Sequence, residues 1–187
     1  QEMQSFARKR GSIPIEISAL TALTNIYSTF TSMHNPPLAE KLTMEAIELA
    51  SDIDDYATQA KLHWSLMLAY IFSSRLTEAA DQGELALKTA REAGNPEQLA
   101  FVLHDLARVH TNLGRFQQAY ESIQEARILW QSLDNQAMLA DSYGTEAEAR
   151  FAAGEPEKMI ALLHKSLDIN ERMENLWGQS YNNVLLH

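Results

Sequence analysis

The stretch Gly114-Arg115-Phe116-Gln117-Gln118-Ala119 decides how this chain is organised. Forty residues earlier stands Ser74-Arg75-Leu76-Thr77-Glu78-Ala79, and forty later stands Gly154-Glu155-Pro156-Glu157-Lys158-Met159. A further step back reaches His34-Asn35-Pro36-Pro37-Leu38-Ala39. Other columns keep the same register. Ala46, Ala86, Ala126 and Ser166 align, as do Leu20, Ala60, Ala100 and Ala140. A third column reads Ile26, Leu66, Leu106 and Glu146, and a fourth reads Phe30, Tyr70, His110 and Arg150. Four units in one register without insertions make an internal repeat, the sequence signature of a repeat architecture.

Within each unit the pattern is helical. Leu99, Val102, Leu103, Leu106, Val109, His110 and Leu113 recur at the three- and four-residue steps of one helix face. Phe116, Ala119, Tyr120, Ile123, Ala126, Ile128 and Leu129 do the same for a second helix. Gly114 and Gly154 stand where a helix C-terminus takes a left-handed residue. Asn95-Pro96-Glu97 reads as a helix start, with Asn as cap, Pro in the first turn and an acid behind it; Asn35-Pro36 repeats the device. The spacing predicts first helices near 15–33, 56–73, 96–113 and 136–153, and second helices near 36–51, 76–92, 116–132 and 156–173. Residues 1–10 read as the tail of an earlier helix closed by Gly11-Ser12-Ile13-Pro14, and 176–187 as the start of a fifth first helix. Helix pairs with two apolar faces bury both only by stacking, so the expected fold is all-α, a right-handed superhelical solenoid forming a single domain over 1–187, with repeats at 15–55, 56–95, 96–135 and 136–175. With Gln1 at one end and half a helix at the other, the sequence reads as a piece of a longer chain.

The composition narrows the function. The 187 residues are 45% hydrophobic and 21% charged, enough apolar material for a core. Fifteen Lys and Arg against 25 Asp and Glu leave a net charge of −10, which argues against direct nucleic-acid binding. Without cysteine there is no disulfide, thiolate metal site or thiol nucleophile. No apolar run reaches membrane-spanning length, and no signal-peptide core follows Arg8-Lys9-Arg10, so a cytoplasmic location is expected. Those three basic residues fit a helix C-terminus or a small basic patch.

The pattern of units resembles the tetratricopeptide repeat. In the third unit the positions of that family read Leu103, Leu106, Ala107, His110, Gly114, Ala119, Ile123 and Ala126. The second keeps Leu66, Tyr70, Ala79 and Ala86 but carries Met67 and Gly83; the fourth keeps Ala147, Gly154 and Leu163 while Glu146, Met159 and Ser166 depart. The forty-residue period is similar to repeats of multidomain bacterial signalling regulators and of animal scaffold proteins. The resemblance implies a non-catalytic module that binds a protein or peptide partner as the repeat arm of a larger signalling or transcription regulator. A small-molecule sensor arm, or an adaptor that oligomerises through its terminal repeats, is the alternative.

No phosphate-binding loop, zincin motif or nucleophile elbow occurs, and no cofactor is called for. His104 and His110, six residues apart, are turned about 600° around a helix and cannot chelate one ion together. His63 and His110 fall in packing columns, and Asp52, Asp54 and Asp55 sit where a helix cap is needed. By the resemblance, first helices line a concave face. The first unit contributes Thr21, Thr24, Asn25, Ser28, Thr31 and Ser32, all small and polar. The second puts Trp64, Leu68, Ile71 and Phe72 on one strip, and the third offers Phe101, His104, Arg108 and Asn112. The fourth adds Asp141, Gly144, Thr145, Glu148, Phe151 and Ala152. The apolar strip and Arg108 suit an amphipathic peptide carrying a carboxylate. The alternative is that Trp64 and Phe72 are ordinary core. Gly144 leaves either a gap for a ligand or a helix defect. Thr24, Ser28, Ser65, Phe101 and Asp105 stand where the family's chaperone-binding members carry a two-carboxylate clamp, which disfavours chaperone tails.

Overall fold

The computed structural model describes residues 11–28, 32–33 and 35–186, with the side chain of Ser28 left aside. The basic run Arg8-Lys9-Arg10, the expected helix over 1–10, and Phe30, Thr31, His34 and His187 lie outside the described residues. Nine helices and no strand occur among those described. They fall into two compact units that meet in sequence at Gly94 and Asn95.

The first unit holds α1 (Ile13–Ser28), α2 (Pro36–Asp52), α3 (Tyr56–Phe72) and α4 (Leu76–Ala93). α1 packs on α2 and α3 on α4, with α2 also against α3. The second unit holds α5 (Pro96–Asn112), α6 (Phe116–Ser132), α7 (Gln136–Ala152), α8 (Pro156–Arg172) and α9 (Leu176–Leu186). α5 pairs with α6 and α7 with α8; α7 also touches α5 and α6, and α9 lies on α8 and α7.

Most helix bounds match the repeat pattern within a residue or two. α1 departs further, at its C-terminal end. It begins at Ile13, because Ser12 O accepts the Glu16 N–H and Pro14 needs no donor in a first turn. It does not run to 33: Ser32 and Met33 form a turn, and Asn35 N–H donates to Tyr27 O at 2.9 Å.

The punctuation is regular. Residues 54, 74, 94, 114, 134, 154 and 174 all have positive φ, one every twenty residues. Glycine fills positions 94, 114 and 154, whereas Asp54, Ser74, Asp134 and Glu174 take the left-handed conformation despite their side chains. After each of these except Gly94, the next N–H reaches five residues back: Asp55 to Ala50 O, Arg75 to Tyr70 O, Arg115 to His110 O, Asn135 to Trp130 O, Glu155 to Arg150 O and Asn175 to Asn170 O. This is the six-to-one bond that closes a helix C-terminus. At the other ends, Asn35, Asp55, Asn95 and Asn135 side chains accept N–H groups of the first turn. The cap expected among Asp52, Asp54 and Asp55 is thus Asp55, which also takes the Thr58 hydroxyl.

Small residues fill the helix crossings. Ala46, Ala86, Ala126 and Ser166 are buried, as are Leu20, Ala60, Ala100 and Ala140. The column of Leu66 and Leu106 breaks at both ends of the chain: Ile26 is exposed, and Glu146 is buried as a charge. Arg127 Nη2 donates to Glu146 Oε2 at 2.7 Å and Arg150 Nη2 to Oε1 at 3.0 Å, so the carboxylate is paired on both oxygens. His63 packs with Nδ1 2.8 Å from Gln82 Oε1, and burial lowers its pKa. His110 is buried too, and Trp130 is wholly so, edge-on to Phe101 at 4.8 Å.

An acid, a tyrosine and an arginine cluster in each unit. In the first, the Tyr70 hydroxyl donates to Glu40 Oε1 at 2.6 Å, Arg75 Nη1 donates to Glu40 Oε2 at 2.9 Å, and the Arg75 guanidinium lies 4.1 Å from the Tyr70 ring centre. In the second, Arg150 lies 3.6 Å from the Tyr120 ring centre and donates to Glu155 Oε2 at 2.9 Å. The positions 40, 70 and 75 recur eighty residues later as 120, 150 and 155, with the three residue types permuted.

Candidate functional site

Of the eight residues expected to form a groove, four belong to each unit. In the first unit they come from the second half of α3. Trp64, Leu68 and Ile71 are half-buried, while Phe72, the last residue of the helix, is 86% exposed. Phe72 is therefore not core. Lys61 and Ser65 flank the strip on the solvent side.

In the second unit the four residues of α5 separate. Phe101 is half-buried against Trp130. His104 is 2% exposed, its Nε2 3.1 Å from Asp141 Oδ2 and 3.0 Å from Thr145 Oγ1, which ties α5 to α7. Asn112 is exposed at the helix end. Arg108, also exposed, lines a cavity of about 300 Å³.

That cavity belongs to α5, α7, α8 and α9. Arg108 and Asp141 supply opposite charges to its wall. Burial opposes the Asp141 charge, but the hydrogen bond from His104 and the nearby charges of His104 and Arg108 outweigh it and hold the carboxyl below its usual range. Met138, Trp177 and Tyr181 give the apolar side, the last two stacked with centroids 5.6 Å apart and planes 5° from parallel. Burial, then a hydrogen bond from its hydroxyl to Glu148, pushes the Tyr181 pKa up to about 12.

Asn170, Ser166 and Asn182 make a fixed polar floor. Ser166 Oγ donates to Ala140 O at 2.8 Å and accepts from Asn182 Nδ2 at 3.0 Å. Asn170 Oδ1 accepts from Asn175 Nδ2 at 2.8 Å. Two glycines shape the space. A Cβ on Gly178 would fall 2.3 Å from Asn170 Oδ1, so the Asn170 amide of α8 packs directly on the α9 backbone there. A Cβ on Gly144 would meet only Tyr181, at 4.0 Å, so this glycine opens room on α7 rather than breaking the helix.

The repeat pattern places Arg108, Asp141 and Gly144 on first-helix faces, whereas the walls from α9 and the floor from α8 come only with the packing. Tyr181 lies forty residues after Asp141, so the repeat register held the signal. Among the described residues no three metal-ligating side chains converge, and no helix is long and apolar enough to cross a membrane.

No protein-family model and no curated protein matches the sequence significantly. Solved structures do match the fold. BtubC (BKLC) from P. vanneervenii superposes with a TM-score of 0.76 at 22% identity, over 91% of this chain and 69% of that one. The signal transduction ATPase with numerous domains and a tetratricopeptide repeat sensor from Pyrococcus horikoshii gives 0.73 at 16% identity, over 93% of this chain and 29% of its own. The Rap conjugation gene regulator of plasmid pLS20, solved with the Phr* peptide, gives 0.65 at 13% identity, over 99% and 56%. The chain thus spans about half of that regulator and under a third of the ATPase. Helix pairs in a forty-residue register, small residues at the crossings and these superpositions agree: the chain has the tetratricopeptide-type helical-repeat fold.

Proposed function

We propose that this chain is a non-catalytic interaction module that binds a protein or peptide partner through the faces of its first helices, as the repeat arm of a larger signalling or transcription regulator. The observation that carries this reading is Phe72. A phenylalanine 86% exposed at the end of a helix, beside half-buried Trp64, Leu68 and Ile71, is an apolar anchor site facing water. The Rap regulator, solved with the Phr* peptide, supports a peptide partner by analogy of fold, since 99% of this chain superposes on it.

Selection of peptides from a display library tests the reading. Enriched peptides are expected to share apolar anchors, and Phe72→Asp is expected to weaken them at least tenfold while leaving helicity unchanged, because that side chain is already in solvent. Equal binding by the variant would overturn the assignment of the strip. The second reading, a small-molecule sensor arm, is favoured by the cavity of the second unit.

A further inference from the structure

We propose that the cavity of the second unit binds a free α-amino acid with an apolar or aromatic side chain, its carboxylate on Arg108 and its ammonium on Asp141. The inference rests on the reading of first-helix faces as binding surfaces, but it uses a cavity made wholly within the second unit, apart from the Phe72 strip of the first.

The chemistry of the wall selects the ligand. Arg108 offers a planar fork of donors that fits a carboxylate through two parallel hydrogen bonds. Asp141 is an ionised acceptor whose Oδ2 is oriented by His104, so the carboxylate is fixed before any ligand arrives. Arg108 and Asp141 line the same cavity, yet the carboxylate's close partner is His104, with Nε2 3.1 Å from Oδ2, and not Arg108. A guanidinium and a carboxylate lining one small cavity fit a molecule carrying both opposite charges on a single carbon, as an α-amino acid does. A lone carboxylate, such as a peptide C-terminus, would meet Asp141 as a like charge. A lone amine would meet Arg108 in the same way.

The remaining surfaces fit the side chain. The Trp177–Tyr181 stack gives a flat apolar wall, anchored where the Tyr181 hydroxyl donates to Glu148. Gly144 leaves space opposite it. The amides of the floor are tied to Ser166 and Asn175, so they hold their shape and do not compete for the charged groups. A volume of about 300 Å³ lies at the small end of ligand pockets, which suits one amino acid and not a folded segment.

The test is calorimetric titration of the full chain with each free amino acid at millimolar concentration, followed by blocked forms of the tightest one. At least one apolar or aromatic amino acid is expected to bind at one site. Its N-acetyl and carboxamide derivatives should each bind at least tenfold more weakly, since each removes one charged partner. Arg108→Met should match the loss seen with the carboxamide, and Gly144→Leu should abolish binding, with circular dichroism checking that both variants stay helical. Failure of every free amino acid to bind, or equal binding of a blocked form, overturns the proposal; so does wild-type affinity in Arg108→Met or in a helical Gly144→Leu. Peptides selected against the Phe72 strip should bind Gly144→Leu as before. Their loss in Phe72→Asp, with amino-acid binding intact, separates the two sites, so either reading can fail alone.

Discussion

Glu146 stands where earlier repeats carry Leu66 and Leu106, and it keeps its charge out of water by holding two guanidiniums. Restoring the leucine is therefore not expected to restore the core. Glu146→Leu leaves Arg127 and Arg150 half-buried without their shared acid, and breaking a buried pair on one side costs about 3–5 kcal/mol. We expect the urea midpoint to fall accordingly with an unchanged slope; a gain in stability would show that the pair is dispensable. Half of this arrangement was legible. Arg150 follows Glu146 by four residues, the spacing of a helix ion pair. Arg127 comes from the preceding helix, nineteen residues away, and only packing brings it in. The tyrosines set a second expectation. Burial, then the hydrogen bond to Glu40, pushes the Tyr70 pKa up to about 12, and Tyr181 behaves alike beside Glu148. A raised acid contributes stability that is complete below its ordinary pKa of 10.0 and is lost as pH climbs through the folded value. Stability should thus decline between about pH 10 and 12, with Tyr70 and Tyr181 ionising late in an ultraviolet titration. If neither ionises late, the burial and hydrogen bonds of these two side chains are absent in solution.

Among the elements, the left-handed residues give a graded series at constant geometry. Left-handed backbone costs an ordinary L-residue roughly 1–2 kcal/mol, less for aspartate, and glycine nothing. Glycine also loosens the unfolded chain, which offsets part of the gain. Glu174→Gly should then raise stability by about 0.5–1 kcal/mol, Asp54→Gly by less, and Gly114→Ala should lower it by about 1 kcal/mol. Thermal or urea unfolding orders the three; a loss with Glu174→Gly would mean that its side chain contributes a contact of its own. The elements were the most legible part of the sequence. Asn35, Asn95, Gly114 and Gly154 mark helix ends whatever packs on them, because capping is local chemistry. The start of α1 was less legible, since Pro14 belongs equally to a turn and to a helix start. The start of α9 is legible in the repeat, but nothing local in Trp177 and Tyr181 says that they wall a cavity with residues from three other helices.

For the molecule as a whole, the division at Gly94 and Asn95 falls between a helix terminator and a helix cap, so the second unit begins with its own start signal intact. We expect residues 95–187 expressed alone to be helical and to unfold cooperatively, a size of about ninety residues being sufficient for a small core. A disordered fragment would show that its helices depend on the first unit. The cavity should survive in that fragment, since every residue that lines it is present. The permuted clusters of Glu40, Tyr70 and Arg75 and of Tyr120, Arg150 and Glu155 carry a related lesson. A column-by-column alignment scores these positions as mismatches, although each cluster sets an arginine over a tyrosine ring and pairs it with an acid. The twenty-residue spacing of left-handed turns has a further consequence. Positions 54, 134 and 174 share a left-handed φ between 52° and 55° and the same six-to-one closing bond. A recombination that joined the chain after any of these to the residue following another would leave each helix terminator in working order. The gene can therefore lengthen or shorten by whole repeats without inventing a new turn, and the number of repeats becomes a trait that selection can adjust independently of the fold.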